Sequence, residues 1–112
     1  MRIEEREIVL AYVEYQNGSG GKKRPAIVLS VNNEEVYVYQ ITSKFKDKSA
    51  YYQQAYFEIR DWGEANLDKP SWIDTSDYYI LSNKFVFKVI GNLSRNDWNR
   101  FRHFLINKFD IE

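Results

Sequence analysis

The sequence predicts a mainly β domain, a small barrel or strongly curved antiparallel sheet, closed by one C-terminal helix. Three observations point there. Short apolar runs recur between Gly, Asn and Pro turns as far as Gly91. The first of these runs are apolar on both faces. After Ser94 the apolar period changes from two residues to helical spacing. Strands followed by a lone helix argue against an alternating β/α fold, and 112 residues suit one domain over 1–112.

Glu7 to Tyr15 reads as the first strand, with Ile8, Leu10 and Tyr12 on one face and Val9, Ala11 and Val13 on the other. The segment Gly18-Ser19-Gly20-Gly21-Lys22-Lys23-Arg24-Pro25 reads as a pliable basic loop. The second strand then runs from Pro25 to Val31, because Pro25 removes a ladder donor and holds Arg24 extended. Asn32-Asn33 supplies a tight turn into a third strand, Glu35 to Ser43, with Val36 and Val38 against Tyr37, Tyr39 and Ile41. Lys44 to Ala50 is a polar loop, and Tyr51 to Ile59 is expected to return as a strand. Asp61 to Pro70 reads as loop, Trp72 to Thr75 and Tyr78 to Leu81 as short strands, and Phe85 to Ile90 as a strand closed by Gly91. Ser94 and Asp97 form a capping pair for a helix whose stripe is Trp98, Phe101, Leu105 and Phe109. That helix covers part of the two-sided strands, and a second subunit is expected to cover the rest.

Composition narrows the function. Net charge is zero, so any nucleic-acid role must rest on a local patch. Cysteine is absent, which excludes disulfides and thiolate metal sites. No apolar stretch approaches membrane-spanning length and Met1 to Glu7 is charged, so no membrane contact and a cytoplasmic location are expected. Nine Tyr, seven Phe and three Trp are more rings than one small core holds, leaving some for a groove or a subunit contact.

The glycine loop carries the chemistry. Gly18, Gly20 and Gly21 permit positive φ, which lets successive amides converge on an anion. Lys22 and Lys23 add charge, and Arg24 offers a planar fork suited to two phosphate oxygens. The same residues also fit an ordinary solvated hairpin loop.

The order of Glu7-Ile8-Val9-Leu10, Gly18-Ser19, Lys23-Arg24-Pro25-Ala26-Ile27-Val28-Leu29-Ser30, Ile41-Thr42-Ser43, Asn66-Leu67 with Ser71, and Lys88-Val89-Ile90-Gly91 with Leu93-Ser94 resembles the MazF/PemK toxins of bacterial type II toxin–antitoxin systems. The resemblance spans nearly the whole chain and is strongest from Ile8 to Ser43. It implies a small SH3-like barrel, the MazF/PemK/CcdB-like toxin fold, that forms a homodimer with an RNA groove at the dimer surface. It also implies a metal-independent, sequence-selective endoribonuclease of single-stranded mRNA, needing no cofactor, with a cognate antitoxin that covers the groove with an acidic segment. Residue by residue, Arg24 and Thr42 take the positions of the catalytic pair and Ser19 that of an RNA contact. Lys22, Lys23, Ser43 and Lys44 flank them as further expected RNA contacts. Two departures stand out: Arg6-Glu7 replaces the usual Gly-Asp, and Gly20 stands where some relatives carry a loop glutamate.

The residue types fit that chemistry. Attack of a ribose 2′-hydroxyl on phosphorus builds negative charge that a fixed guanidinium stabilises, and Thr42 can orient the phosphate. Arginine resists deprotonation, so it is a stabiliser and a poor base. His103, the one histidine, flanks the apolar stripe of the terminal helix and reads as structural. Asp61, Glu64, Asp68, Asp74 and Asp77 are scattered among turns and make no metal site. Tyr51, Tyr52 and Tyr56 read first as core or interface and second as stacking partners for bases beside Lys44 and Lys46. A noncatalytic nucleic-acid- or protein-binding module on the same barrel, or a gyrase-directed toxin, are the competing readings; the Arg-Pro and Thr-Ser steps weigh against the last.

Overall fold

The computed structural model describes residues 2–15 and 17–109. Six strands, β1 (Glu7–Glu14), β2 (Gly21–Asn32), β3 (Glu35–Thr42), β4 (Tyr56–Ile59), β5 (Ser71–Ser82) and β6 (Val86–Asn92), form one antiparallel sheet in the order β4-β5-β3-β2-β1-β6. A single-turn helix, α1 (Ala50–Gln53), precedes β4, and α2 (Arg95–Phe109) follows β6. The β1-β2-β3 meander is the centre, as the two-sided apolar pattern requires.

Each face of that meander buries its own cluster. Val9, Ala11, Val13, Ala26, Val28, Val36 and Val38 pack with Leu81 and Val86 on one side. Ile8, Ile27, Tyr39 and Ile41 pack on the other with Phe57, Ile73 and Phe101, and Trp98, Phe104 and Leu105 of α2 lie against them. Phe101 is fully buried, whereas Phe109 is exposed; Phe104 takes the place in the helix stripe that the spacing gave to Phe109. Ser94 does cap α2, its Oγ accepting the Asp97 N–H at 3.1 Å.

Several boundaries differ from the sequence reading, each for a local reason. The first half of the expected strand from Tyr51 to Ile59 is helical, because Ser49 Oγ accepts the Tyr52 N–H and Gln53 closes the turn onto the Ser49 carbonyl. β2 starts at Gly21, four residues before Pro25, because β1 pairs Val13, Tyr12 and Ala11 with Lys22, Lys23 and Arg24. The two short strands 72–75 and 78–81 are halves of β5. Tyr39 pairs with Tyr78 and Gln40 with Asp74, so residues 75–77 bulge out of the β3 ladder. Thr75 turns instead to Ala55, whose carbonyl accepts its N–H and its hydroxyl. Gly91 lies inside β6 and does not end it: a Cβ there would meet the Ala65 carbonyl oxygen at 2.6 Å. The absent side chain lets the β4–β5 connection dock on β6.

Candidate functional site

β2 and β3 part company at a defined point. Their last ladder pair is Ala26↔Gln40, beside Pro25, which has no N–H to extend the ladder. Continuing the antiparallel register two residues past that pair sets Arg24 opposite Thr42. Both then leave the sheet on the face that carries Ala26 and Gln40. The gap is a cleft of about 410 Å³ with Lys22–Pro25 on one wall, Ile41–Lys44 on the second, and Leu67–Lys69 with Ser71 on the third.

The cleft concentrates charge that the chain as a whole lacks. Lys22, Lys23, Arg24, Lys44 and Lys69 line it against the single carboxylate of Asp68, on a chain of zero net charge. Such a pairing of one sign of charge with a concave wall draws in anions. The half-buried Arg24 guanidinium has no hydrogen-bond or ion-pair partner among the described residues, so its fork is open to a ligand. Thr42 Oγ1 accepts the Lys44 N–H at 3.1 Å, which leaves its own hydrogen to donate elsewhere. Lys23 is less available: its ammonium sits 4.3 Å over the Phe87 ring. The segment after Lys44 is pinned by Phe45, stacked on Trp72 at 4.7 Å.

Six of the seven expected residues, Arg24, Thr42, Lys22, Lys23, Ser43 and Lys44, line this one cleft. Ser19 does not. Its N–H and hydroxyl both donate to Asn17 Oδ1, at 3.0 and 2.7 Å, on an exposed turn. The Gly18 N–H is likewise taken, by the Tyr15 carbonyl. Gly18 and Gly20 have positive φ as expected, yet these amides close the hairpin and do not converge on an anion. Gly21 is held by packing, since a Cβ would lie 2.6 Å from the Tyr12 ring.

The third wall entered the sequence reading only as the Asn66-Leu67 and Ser71 pieces of the family pattern, with no site role, and Lys69 was missed. Asn66, in the left-handed region at φ 66°, donates from Nδ2 to the Ile90 carbonyl at 3.0 Å, and Gly91 admits Ala65 beside it. These contacts bring Lys69 to the cleft. No local pattern ties a lysine before the Pro70 turn to the glycine loop, and its distance in sequence hid it.

The remaining candidates lie elsewhere. His103 is exposed beside Tyr56 and Phe104 on the α2–β4 surface, and no three metal-ligating side chains cluster among the described residues. Tyr51 and Tyr52 are exposed and line a separate hollow with Lys108. Lys108 donates to the Thr75 carbonyl and hydroxyl; burial lowers its pKa, with Asp74 and Asp77 pulling the other way. Burial raises the Tyr56 hydroxyl, helped by the charge of Asp74 and a hydrogen bond to it.

A curled antiparallel sheet backed by a C-terminal helix, with a cationic cleft where two central strands diverge, defines a class of small β-barrel protein. The chain belongs to the PemK-like, MazF-like toxin family of type II toxin–antitoxin systems, whose family model matches residues 4–107. No curated protein matches it in sequence. Solved structures share the fold. The Mycobacterium tuberculosis toxin MazF-mt6 is 18% identical, with a TM-score of 0.71 over 96% of this chain and 99% of that one. An endoribonuclease in complex with its cognate antitoxin from a mycobacterial species is 12% identical, with a TM-score of 0.67 over 100% of this chain and 98% of that one. A MazE–MazF crystal structure from Deinococcus radiodurans is 15% identical, with a TM-score of 0.67 over 98% of each chain. Among the described residues, no helix is long and apolar enough to cross a membrane.

Proposed function

We propose that this toxin cleaves single-stranded RNA in the β2–β3 cleft, without a metal ion, by in-line attack of a ribose 2′-hydroxyl on the adjacent phosphorus. The observation that carries the reading is the unpartnered Arg24 guanidinium set across from Thr42 among concentrated positive charge. The 2′-oxygen forms a bond to phosphorus as the bond to the 5′-oxygen breaks. The 2′-hydroxyl proton is lost and the leaving oxygen gains one, giving a 2′,3′-cyclic phosphate and a 5′-hydroxyl. Arg24 stabilises the charge on the nonbridging oxygens. Thr42, its oxygen already accepting from Lys44, donates to the same phosphate and sets its angle. Lys22, Lys44 and Ser43 hold the flanking backbone, and the fold relatives named as endoribonucleases support the assignment.

The test is cutting of single-stranded RNA by the purified protein in EDTA, with product ends identified. Thr42→Val is expected to lower kcat about tenfold while KM changes little, the loss of one hydrogen bond to a charged group. An unchanged rate removes Thr42 from the reaction. RNA that is bound and never cut by the parent makes the protein a noncatalytic module.

Two partners complete the reading. Fold relatives occur with antitoxins, and a positive cleft suits an acidic antitoxin segment laid across it in the cytoplasm. Val31, Ile80, Phe85 and Phe87 are each at least 40% exposed, and we assign exposed apolar surface of this kind to a second copy in a homodimer. Light scattering at micromolar concentration is expected to give twice the chain mass; the mass of one chain rejects the pairing.

A further inference from the structure

Arg24 is a wall shared by two hollows. Beyond the cleft it also borders a second one of about 410 Å³, lined with Val13, Glu14, Gln40 and Tyr79. Gln40 stands two residues before Thr42 on β3, so the two side chains share a face. Its ladder partner Ala26 is two residues from Arg24, which places Gln40 diagonally beside the guanidinium. The Gln40 amide is half-buried. Among the described residues, neither it, the Tyr79 hydroxyl nor the Glu14 carboxylate has a hydrogen-bond partner. Idle polar groups converging over the apolar surface of Val13 and an aromatic ring are the make-up of a ligand site.

We infer that this hollow is a nucleobase subsite that selects a base whose Watson–Crick edge carries an exocyclic amino group beside a ring-nitrogen acceptor, adenine or cytosine, over uracil. The inference rests on the reading of Arg24 as the ligand of an RNA phosphate. A nucleotide whose phosphate sits on Arg24 has its base within reach of the next hollow. An amide presents a donor and an acceptor side by side, which matches the amino and ring-nitrogen pair of such a base and, turned over, the N–H and carbonyl pair of uracil, so Gln40 holds the base and the choice falls to Glu14. The amino group has a second hydrogen, and the acceptor-only Glu14 carboxylate can take it. Uracil offers a single N–H flanked by carbonyl oxygens, which a carboxylate repels. The Tyr79 ring supplies a face for the base, as aromatic side chains do in single-stranded RNA recognition.

The test uses short RNAs with A, C or U at each position flanking the cut, and compares kcat/KM for the parent, Gln40→Leu and the isosteric Glu14→Gln. At one position the parent is expected to prefer A or C over U by about tenfold or more, and both variants to shrink that ratio toward one. Circular dichroism checks that each variant is folded, and Glu14→Gln, at an exposed position, serves if Gln40→Leu is not. An unchanged ratio in a folded variant, or a parent indifferent to A, C and U at every position, overturns the subsite while leaving RNA cleavage standing. A parent that cuts no RNA overturns the underlying reading, and the subsite with it.

Discussion

Arg24→Ala is expected to lower kcat/KM for RNA by about a thousand-fold, the scale on which removing a charge-stabilising donor acts in a pre-organised site. Stability is expected to hold within about 0.5 kcal/mol, since the half-buried guanidinium has no hydrogen-bond or ion-pair partner among the described residues to lose. The backbone of residue 24 stays paired with Ala11 whatever its side chain. No protein acceptor among the described residues is orphaned when the guanidinium goes. Arg24→Lys separates charge from geometry: it keeps the charge and loses the planar fork, so it is expected to fall between parent and alanine variant. Single-turnover cutting of a labelled oligonucleotide, with a thermal melt of the same samples, reads both quantities. Cutting by Arg24→Ala at the parent rate removes Arg24 from the mechanism. A collapsed melt would mean that the side chain holds the fold and that its loss of activity says nothing of chemistry.

That experiment is sharp because the register isolates the side chain, and the register was only half legible beforehand. Alternation along Glu7 to Ser43 shows a meander apolar on both faces, since period-two patterning reports burial directly. It does not report where a ladder stops. Pro25 marked a break in pairing correctly, but on the β3 side alone; β1 continues past it to Gly21. The glycine loop misled for a related reason. Positive φ at Gly18 and Gly20 is compatible with an anion nest and with a closed hairpin, and the Asn17 side chain, by accepting from Ser19, selects the second. The Tyr51 to Ile59 segment has aromatic spacing that suits a strand, yet one serine cap outweighed it over the first turn. Lys69 escaped because its place depends on Gly91 and Asn66, a docking between distant segments that no local pattern encodes.

That docking has a counterpart on the other side of the same connection, and there the largest stability effect is expected. Asp97→Ala is predicted to cost about 3 kcal/mol, since truncating one partner of a buried charged pair leaves the others without compensation. Asp97 is 1% exposed. One carboxylate oxygen accepts the Asp61 N–H at 2.7 Å and the other the Arg100 guanidinium at 2.6 Å, while Arg100 lies 4.7 Å over the Phe57 ring. Ser94 closes the set, donating to Asp61 Oδ2 and accepting from the Asp97 N–H. Ser94 and Asp97 were legible as a cap, but the carboxylate reaches out to Asp61 as well as forward to Arg100 of its own helix. A loss of that size is expected to lower Tm by about 10–20 °C for a domain of this length. Asp97→Asn keeps an acceptor for one donor and should lose about half as much. Asp61 opens the connection that continues through Asn66 to Lys69, so below its melting point Asp97→Ala should also raise KM for RNA more than it lowers kcat. A Tm within 3 °C of the parent would show that the carboxylate is no strut. A fall in Tm with KM untouched would show that the strut holds the helix to the sheet without setting the cleft's third wall.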